Sequence, residues 1–299
     1  MKQRVGIIGV GLMGHGIARN ILKHGHELMA LEHPGNQPMD DLLEAGAKTE
    51  STASALARQS DVIILCVTGS PEVEAVLTGG SGVLQGLRPG AIVVDCSTAI
   101  PSSTERMAAL VQAAGGLFVD APMTRTVQHA HEGRLNLLVG GDVAVLDKVM
   151  PVLRCFAENV FHAGTIGAGH RLKLLHNFVS LGSVSLLAEA AACAERGGIR
   201  PELFVEVLAS GGGAGIALDR LKPYILSGDS STLQFFMANA LKDLRYYVQM
   251  ASDSSAAHRI GDAVSATLDA AVQQGGPRAL VPELVSLLAQ SGASATTKN

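Results

Sequence analysis

Residues Arg4 to Val10 read RVGIIGV, a short β-branched apolar run that breaks into Gly9, Gly11 and Gly14 of GVGLMG. Apolar positions then resume at Ile17, Ala18, Ile21 and Leu22 with helical spacing, so the pattern predicts a strand, a tight turn and a helix. Further runs of strand length are Leu28 to Leu31, Asp61 to Val67 (DVIILCV), Ala91 to Cys96 (AIVVDC), Gly116 to Asp120 and Leu135 to Val139. Between them, Pro71 to Leu77 and Ser102 to Ala114 read as helices. Strands that alternate with helices predict a doubly wound parallel sheet of Rossmann-like α/β type. Past the glycine-broken stretch GTIGAGHRLKLLHNFVS at 164 to 180 the pattern becomes helical. A long helix from Arg171 to Arg196 ends at Gly197 and Gly198, and Pro201 to Ala209, Gly215 to Leu226, Thr232 to Ser252 and Ala257 to Gln274 follow as helices separated by Gly, Pro and Ser. The expected fold is thus an N-terminal Rossmann-like doubly wound sheet (1–163), an interdomain helix (164–196) and an all-α C-terminal domain (197–299), with a frayed polar tail from Ser291.

Composition narrows this picture. With 299 residues, 47% hydrophobic and 17% charged, 34 Gly and no Trp, the chain suits an Ala- and Gly-rich globular α/β protein of two domains. A net charge of -4 and the lack of any basic block argue against nucleic acid as a partner. Cys66, Cys96, Cys155 and Cys193 are scattered, with no metal-like spacing, and are expected to be reduced, buried residues of a cytoplasmic protein. Lys2 and Arg4 lead straight into the first strand, leaving no room for a signal peptide. The apolar run Phe178 to Ala194 is interrupted by Glu189 and flanked by Lys173 and Arg196, which favours a helix buried in protein over a membrane span.

The glycine turn carries the first candidate chemistry. Gly9 allows the turn, Gly11 lets a pyrophosphate approach the backbone, and Gly14 lets helix and strand close, with the helix start at Leu12 and Met13 facing the phosphates. The motif has its confirming context: a strand before, a helix after, and a second strand ending in Glu32, 18 residues past Gly14. A carboxylate there accepts both ribose hydroxyls of NAD and repels the 2′-phosphate of NADP, and no Arg follows to offset it; its alternative is a solvated strand-end acid. Val67, Thr68, Ser97 and Thr98 fall at the carboxyl ends of strands, where such sheets bind ligands; for Ser97 and Thr98, turn chemistry or an N-cap is the competing reading.

Arg125, on a loop after a strand, has the geometry to clamp an anion through two parallel hydrogen bonds, or else is a solvated loop residue. His129 and His131 lie on the same stretch without a third placed ligand, so no metal site is expected. Lys173 and Asn177, four apart, share a helix face, and a lysine and an amide aimed at one point beside a dinucleotide would form a hydride-transfer centre. Lys173 serves as base in alcohol oxidation and as acid in carbonyl reduction if burial and the Arg125 cation lower its pKa toward neutrality. Lys242 and Asp243 form either a solvated pair or a charge reaching into the cleft, and His15 has no assigned role.

GVGLMGHGIARNILKHGHEL, DCST at 95 to 98, DAP at 120 to 122, GxxGxGxxxKxxxN from Gly164 to Asn177 and KDL at 242 to 244 together resemble the β-hydroxyacid dehydrogenase family, which includes 3-hydroxyisobutyrate and tartronate semialdehyde enzymes. The resemblance spans nearly the whole chain. It implies that Lys173 is the catalytic acid/base, that Asn177 helps hold the substrate, that Thr98 and Lys242 contact the cofactor, and that a long helix joins two domains in a homodimer or homotetramer. Where the family commonly has Ser-Gly-Gly after its D-A-P, this chain has Thr124, Arg125 and Thr126 beyond Met123. That looks like the sulfolactaldehyde reductase branch, which carries Gly-Arg-Thr there and Asn-Tyr/Phe-x-Ser on the catalytic helix, matched by Asn177, Phe178, Val179 and Ser180. Thr124 replaces the glycine and His176 stands where the branch has asparagine. The implied substrate is a small anionic 3-hydroxy acid or its aldehyde, with sulfolactaldehyde first and carboxylate or threonate-type acids as alternatives. Arg125, Thr126, Thr124, His176 and Ser180 are its expected contacts. A non-catalytic dinucleotide-binding protein and an imine reductase are the readings of other kinds; Lys173 and Asn177 together disfavour the first, and Lys173 the second.

Overall fold

The computed structural model describes residues 2–294. Contacts divide the chain into two compact units, one up to Lys173 and one from Leu174.

The first unit opens with β1 (Arg4–Ile8), α1 (Leu12–Lys23), β2 (Glu27–Leu31), α2 (Asp40–Glu44), β3 (Lys48–Glu50), α3 (Ala53–Gln59), β4 (Val62–Leu65), α4 (Ser70–Thr78), β5 (Ile92–Asp95), α5 (Pro101–Ala113) and β6 (Leu117–Asp120). These six strands are parallel, in the spatial order β3-β2-β1-β4-β5-β6. Alternate residues bury opposite faces: Val5, Ile7, Ile64 and Val94 join Ile17, Ala18 and Ile21 of α1 in one core, while Ile8, Ile63, Leu65 and Val93 join Leu56, Leu77 and Met107 in another. Two covered faces explain why these strands read as unbroken apolar runs rather than as alternating ones.

The sheet is mixed rather than wholly parallel, a correction to the sequence reading. After β6 come β7 (Met123–Thr124), α6 (Val127–Glu132) and β8 (Leu135–Gly140), and β8 runs antiparallel to both β6 and β7. The cause lies in the connection. The Asn20 amide of α1 donates to the carbonyls of Ala130 (2.9 Å) and His131 (3.1 Å), and a Cβ at Gly16 would stand 2.6 Å from the Ala130 carbonyl carbon. Held that closely on α1, α6 does not cross the sheet, so the chain doubles back beside the strand it left. His129 and His131 accordingly sit on this short helix, not on a loop as the sequence suggested. α7 (Val143–Leu153) and β9 (Ala157–Gly164), which pairs parallel to β8, complete the unit up to the start of α8 (Ala168–Arg196).

The second unit comprises the rest of α8 with α9 (Pro201–Ala209), α10 (Ile216–Ser227), α11 (Met237–Asp253), α12 (Arg259–Gly275) and α13 (Leu284–Ser294). Leu181, Val184 and Ala188 of α8 share a core with Leu221, Leu244, Leu268 and Leu284. α11 begins at Met237 instead of Thr232, because the Met237 N–H donates to Ala279 (2.8 Å) and the Val281 N–H to Phe235 (2.9 Å), which holds the preceding segment extended. α8 is long and apolar enough to cross a membrane by length and composition, yet half of its most apolar window is buried within the protein. Cys193 on this helix is exposed, against the expectation of four buried cysteines; Cys96 and Cys155 are buried and Cys66 half-buried. Of the tail expected to fray from Ser291, residues 291–294 continue α13, and 295–299 lie outside the described residues.

Candidate active site

The glycine turn has the geometry its spacing requires. Gly9 sits at φ 97°, where a Cβ would meet the Cys66 carbonyl oxygen at 2.3 Å, and a Cβ on Gly14 would lie 2.0 Å from the Gly9 carbonyl oxygen. A Cβ on Gly11 would meet nothing within 4 Å. Gly11 also caps α1 without a side-chain hydrogen bond, so the first turn, at Leu12 and Met13, opens its N–H groups to a space kept clear of side chains. That fits the pyrophosphate of a dinucleotide. Glu32, exposed just past β2, accepts a hydrogen bond from Thr49 (2.7 Å). The segment after it is pinned to the turn: the Val10 N–H donates to Asn36 (3.2 Å), and the Gln37 N–H to the Val10 carbonyl (2.8 Å).

At the carboxyl ends of β4 and β5, the Val67 N–H donates to Ser97 Oγ (3.1 Å) and the Ser97 N–H to Asp95 Oδ1 (2.9 Å). Ser97 is therefore a tie between two strand ends, the turn chemistry weighed for it from the sequence. Thr98 is half-buried, and since α5 is capped by Ile100, its hydroxyl is not spent on that cap. Thr68 is exposed beyond Val67.

The turn that carries Lys173 is fastened to this edge by two residues that sequence reasoning did not place in the site. Asp120, fully buried at the end of β6, accepts the N–H groups of Gly167 (2.7 Å) and His170 (2.8 Å). Burial pushes its carboxyl above the usual carboxylate range, and the nearby His170 and these donors offset part of that. His170, likewise fully buried, meets Thr104 Oγ1 through Nδ1 (2.8 Å) and the Ser97 carbonyl through Nε2 (3.1 Å). The D-A-P and G-x-G-H runs were visible in the sequence; their meeting was not. Lys173 is half-buried on the same turn.

Arg125 has φ 85°, and its guanidinium donates to the Arg134 carbonyl (2.5 Å) and forms an ion pair with Glu158 of β9. Thr124 Oγ1 accepts from Asn136 (3.3 Å), and Thr126 Oγ1 is hydrogen-bonded to His129 Nδ1 (2.7 Å). His15 pairs with Asp41 (3.0 Å), its ring 5.7 Å from that of His131. No cluster suited to a metal ion occurs among the described residues.

In the second unit, three expected site residues join through a fourth. His176 Nδ1 lies 3.0 Å from Asn177 Oδ1, Asn177 Nδ2 donates to Asp243 Oδ2 (2.6 Å), and Lys242 Nζ donates to Asp243 Oδ1 (2.8 Å). Asp243 is only 3% exposed, so the Lys242–Asp243 pair is not a solvated one, and the Asn177 amide is held at both ends. Lys242 also stands 4.8 Å over the Tyr246 ring. Ser180 is half-buried on the next turn of α8.

Residues 4–164 match the family described as the NAD binding domain of 6-phosphogluconate dehydrogenase, and residues 167–288 the family described as NAD-binding of NADP-dependent 3-hydroxyisobutyrate dehydrogenase. Among curated proteins, the chain is 32% identical over 249 residues to 3-sulfolactaldehyde reductase of Escherichia coli K12, covering 83% of each. It is 32% identical over 235 residues to 2-(hydroxymethyl)glutarate dehydrogenase of Eubacterium barkeri, covering 76% of this chain and 75% of that protein. Among solved structures, 3-hydroxyisobutyrate dehydrogenase of Mycobacterium tuberculosis with L-serine shares the fold at a TM-score of 0.86 and 23% identity, covering 96% of this chain and 99% of that one.

Proposed function

The chain belongs to the 3-hydroxyisobutyrate dehydrogenase-like family of NAD(P)-dependent β-hydroxyacid dehydrogenases, oxidoreductases acting on CH–OH, and from that premise we propose that it interconverts a small anionic 3-hydroxy acid and its aldehyde with Lys173 as acid/base. The observation that carries this reading is the pairing on α8 of Lys173, on a turn anchored to the sheet edge by Asp120 and His170, with Asn177, whose amide is held by Asp243. The nicotinamide, when bound, exchanges a hydride with the substrate carbon. Lys173 takes the hydroxyl proton in the oxidising direction and returns it to the carbonyl oxygen in the reducing one. Asn177 orients the reacting oxygen, and Arg125 with Thr124, Thr126, His176 and Ser180 binds the anion, fixing the carbon that reacts.

The cation at Arg125 and the likeness to 3-sulfolactaldehyde reductase favour a sulfonate, the pair 3-sulfolactaldehyde and 2,3-dihydroxypropanesulfonate, over the carboxylates of 3-hydroxyisobutyrate, tartronate semialdehyde or threonate. The exposed carboxylate of Glu32 supports NAD over NADP, with Leu12, Met13, Val67, Thr68, Thr98 and Lys242 as further cofactor contacts. Val179 and Leu186 of α8 and Ile260 of α12, 64%, 74% and 71% exposed, support a homo-oligomer. The unbridged cysteines suit the reducing cytoplasm.

Initial rates of reduction of sulfolactaldehyde and of carboxylate semialdehydes, with NADH and with NADPH, test the reading. Sulfolactaldehyde with NADH is expected to be turned over fastest, and Lys173→Ala to lower kcat by about 10²- to 10⁴-fold. A Lys173→Ala enzyme of unchanged kcat overturns the acid/base assignment, and a preference for carboxylate semialdehydes overturns the sulfonate.

A further inference from the structure

We propose that His170 is a positioning residue whose imidazole sets the turn carrying Lys173 in register with the strand ends that receive the cofactor. The inference rests on the role given to Lys173 above. His170 lies three residues before Lys173 on α8, about 4.5 Å along the helix axis and on the same ridge. A carbonyl oxygen only accepts, so Nε2, 3.1 Å from the Ser97 carbonyl, carries a proton, and Nδ1 is hydrogen-bonded at 2.8 Å to the Thr104 hydroxyl, which also reaches the Ile100 carbonyl (3.2 Å). The Ser97 carbonyl belongs to the peptide that leads into Thr98, and Ser97 Oγ takes the Val67 N–H. Both loops expected to face the cofactor are thus referenced to Ser97, and Ser97 to His170.

Asp120 fixes the start of α8 by its backbone, through the N–H groups of Gly167 and His170. Those bonds tie the helix to β6 only. The His170 side chain adds a hold of a different kind, tying the same turn to the end of β5 and to α5 together. A core-filling residue has no need of this: burying an imidazole is costly unless both nitrogens find partners, and an aliphatic side chain fills such a space without that cost. Asp95 Oδ2, buried and without a hydrogen-bond partner, lies 3.9 Å from Nε2, so removing the ring leaves two acceptors, Asp95 Oδ2 and the Ser97 carbonyl, facing an apolar gap.

The test compares wild type, His170→Leu, His170→Gln and Thr104→Val with the best aldehyde of the panel. Three quantities are measured: the NADH Kd, the single-turnover rate of NADH oxidation per bound NADH, and the melting temperature. His170→Leu keeps the bulk and loses both polar contacts; its single-turnover rate is expected to fall about tenfold or more, as for a reacting group displaced by a fraction of an ångström to 1 Å. His170→Gln, whose amide can donate to Ser97, is expected to regain most of that rate, and Thr104→Val to show a smaller loss. The proposal is overturned if His170→Leu turns over bound NADH at the wild-type rate and loses only melting temperature, or if Gln rescues no better than Leu. Should His170→Leu not fold, Thr104→Val decides, and a wild-type single-turnover rate in that enzyme overturns the proposal. Failure of the underlying reading looks different: Lys173→Ala then keeps its kcat, whereas failure of this inference leaves Lys173→Ala impaired and His170→Leu at full rate.

Discussion

Arg125 holds a backbone angle, φ 85°, that costs a side-chain-bearing residue on the order of 1–2 kcal/mol. It stands where the related motif has a glycine, so the loop has kept a glycine's conformation and gained a cation. Its guanidinium is already engaged by Glu158, and that hydrogen bond first of all holds the Glu158 carboxyl below its usual range, leaving it ionised at neutral pH. A substrate anion bound at Arg125 would compete with this carboxylate. Arg125→Ala is therefore expected to raise KM for an anionic aldehyde with little change in kcat, and Glu158→Gln to lower it. Steady-state kinetics on the two variants check both; KM values equal to wild type in both remove Arg125 from the anion site. Arg125 could be singled out from the sequence because the motif around it departs from the family, whereas Glu158 could not, since it lies 33 residues away on an edge strand whose polar positions hide its periodicity.

The element that matters most is α8, and its N-terminal turn is packed without slack. A Cβ on Gly169 would lie 2.2 Å from the Leu138 carbonyl oxygen and 2.8 Å from Asp120 Oδ2, both parts of the rigid sheet end. Gly169→Ala must push the helix outward and is expected to cost about 1–3 kcal/mol, seen in denaturant melts, with a fall in kcat because Lys173 moves with the turn. Wild-type stability in this variant would mean that the sheet end yields. The helix and five of the six parallel strands were legible because each carries its own period or a short apolar run, whereas β3, which reads KTE, has neither. β9, α6 and the reversed direction of β8 were not, because α6 is six residues long and its place is set by contact with Gly16 and Asn20 of α1.

Across the first unit, one surface carboxylate joins three parts of the chain. Asp61, just before β4, pairs with Arg4 at the start of β1 (2.6 Å) and with Arg88 ahead of β5 (3.0 Å). The hydrogen bond from Arg4 first, then the neighbouring charges, bring its pKa from 3.8 to about 2. A folded-state pKa below the unfolded one means that this stabilisation is complete above pH 3.8 and is lost as the pH falls through about 2. Since Asp61 is 39% exposed, solvent screening limits the effect to below about 1 kcal/mol. Asp61→Asn is expected to melt lower at neutral pH and to converge on wild type at pH 2; a constant gap across that range would assign the loss to packing instead.

The sequence by itself determined the glycine turn with Glu32 behind it, the change from alternating to helical pattern, and the one-turn spacing of Lys173 and Asn177. Each rests on local periodicity or on a backbone conformation open mainly to glycine, and both are written within a few residues. Only the tertiary structure decided the antiparallel turn of β8, the ion pair that engages Arg125, the hold of Asp243 on Asn177, and the seat of His170 between Ser97 and Thr104. Those partners lie far apart along the chain, and what selects them is the requirement that a buried polar group find an acceptor or donor where packing has placed it, a condition that no local pattern encodes.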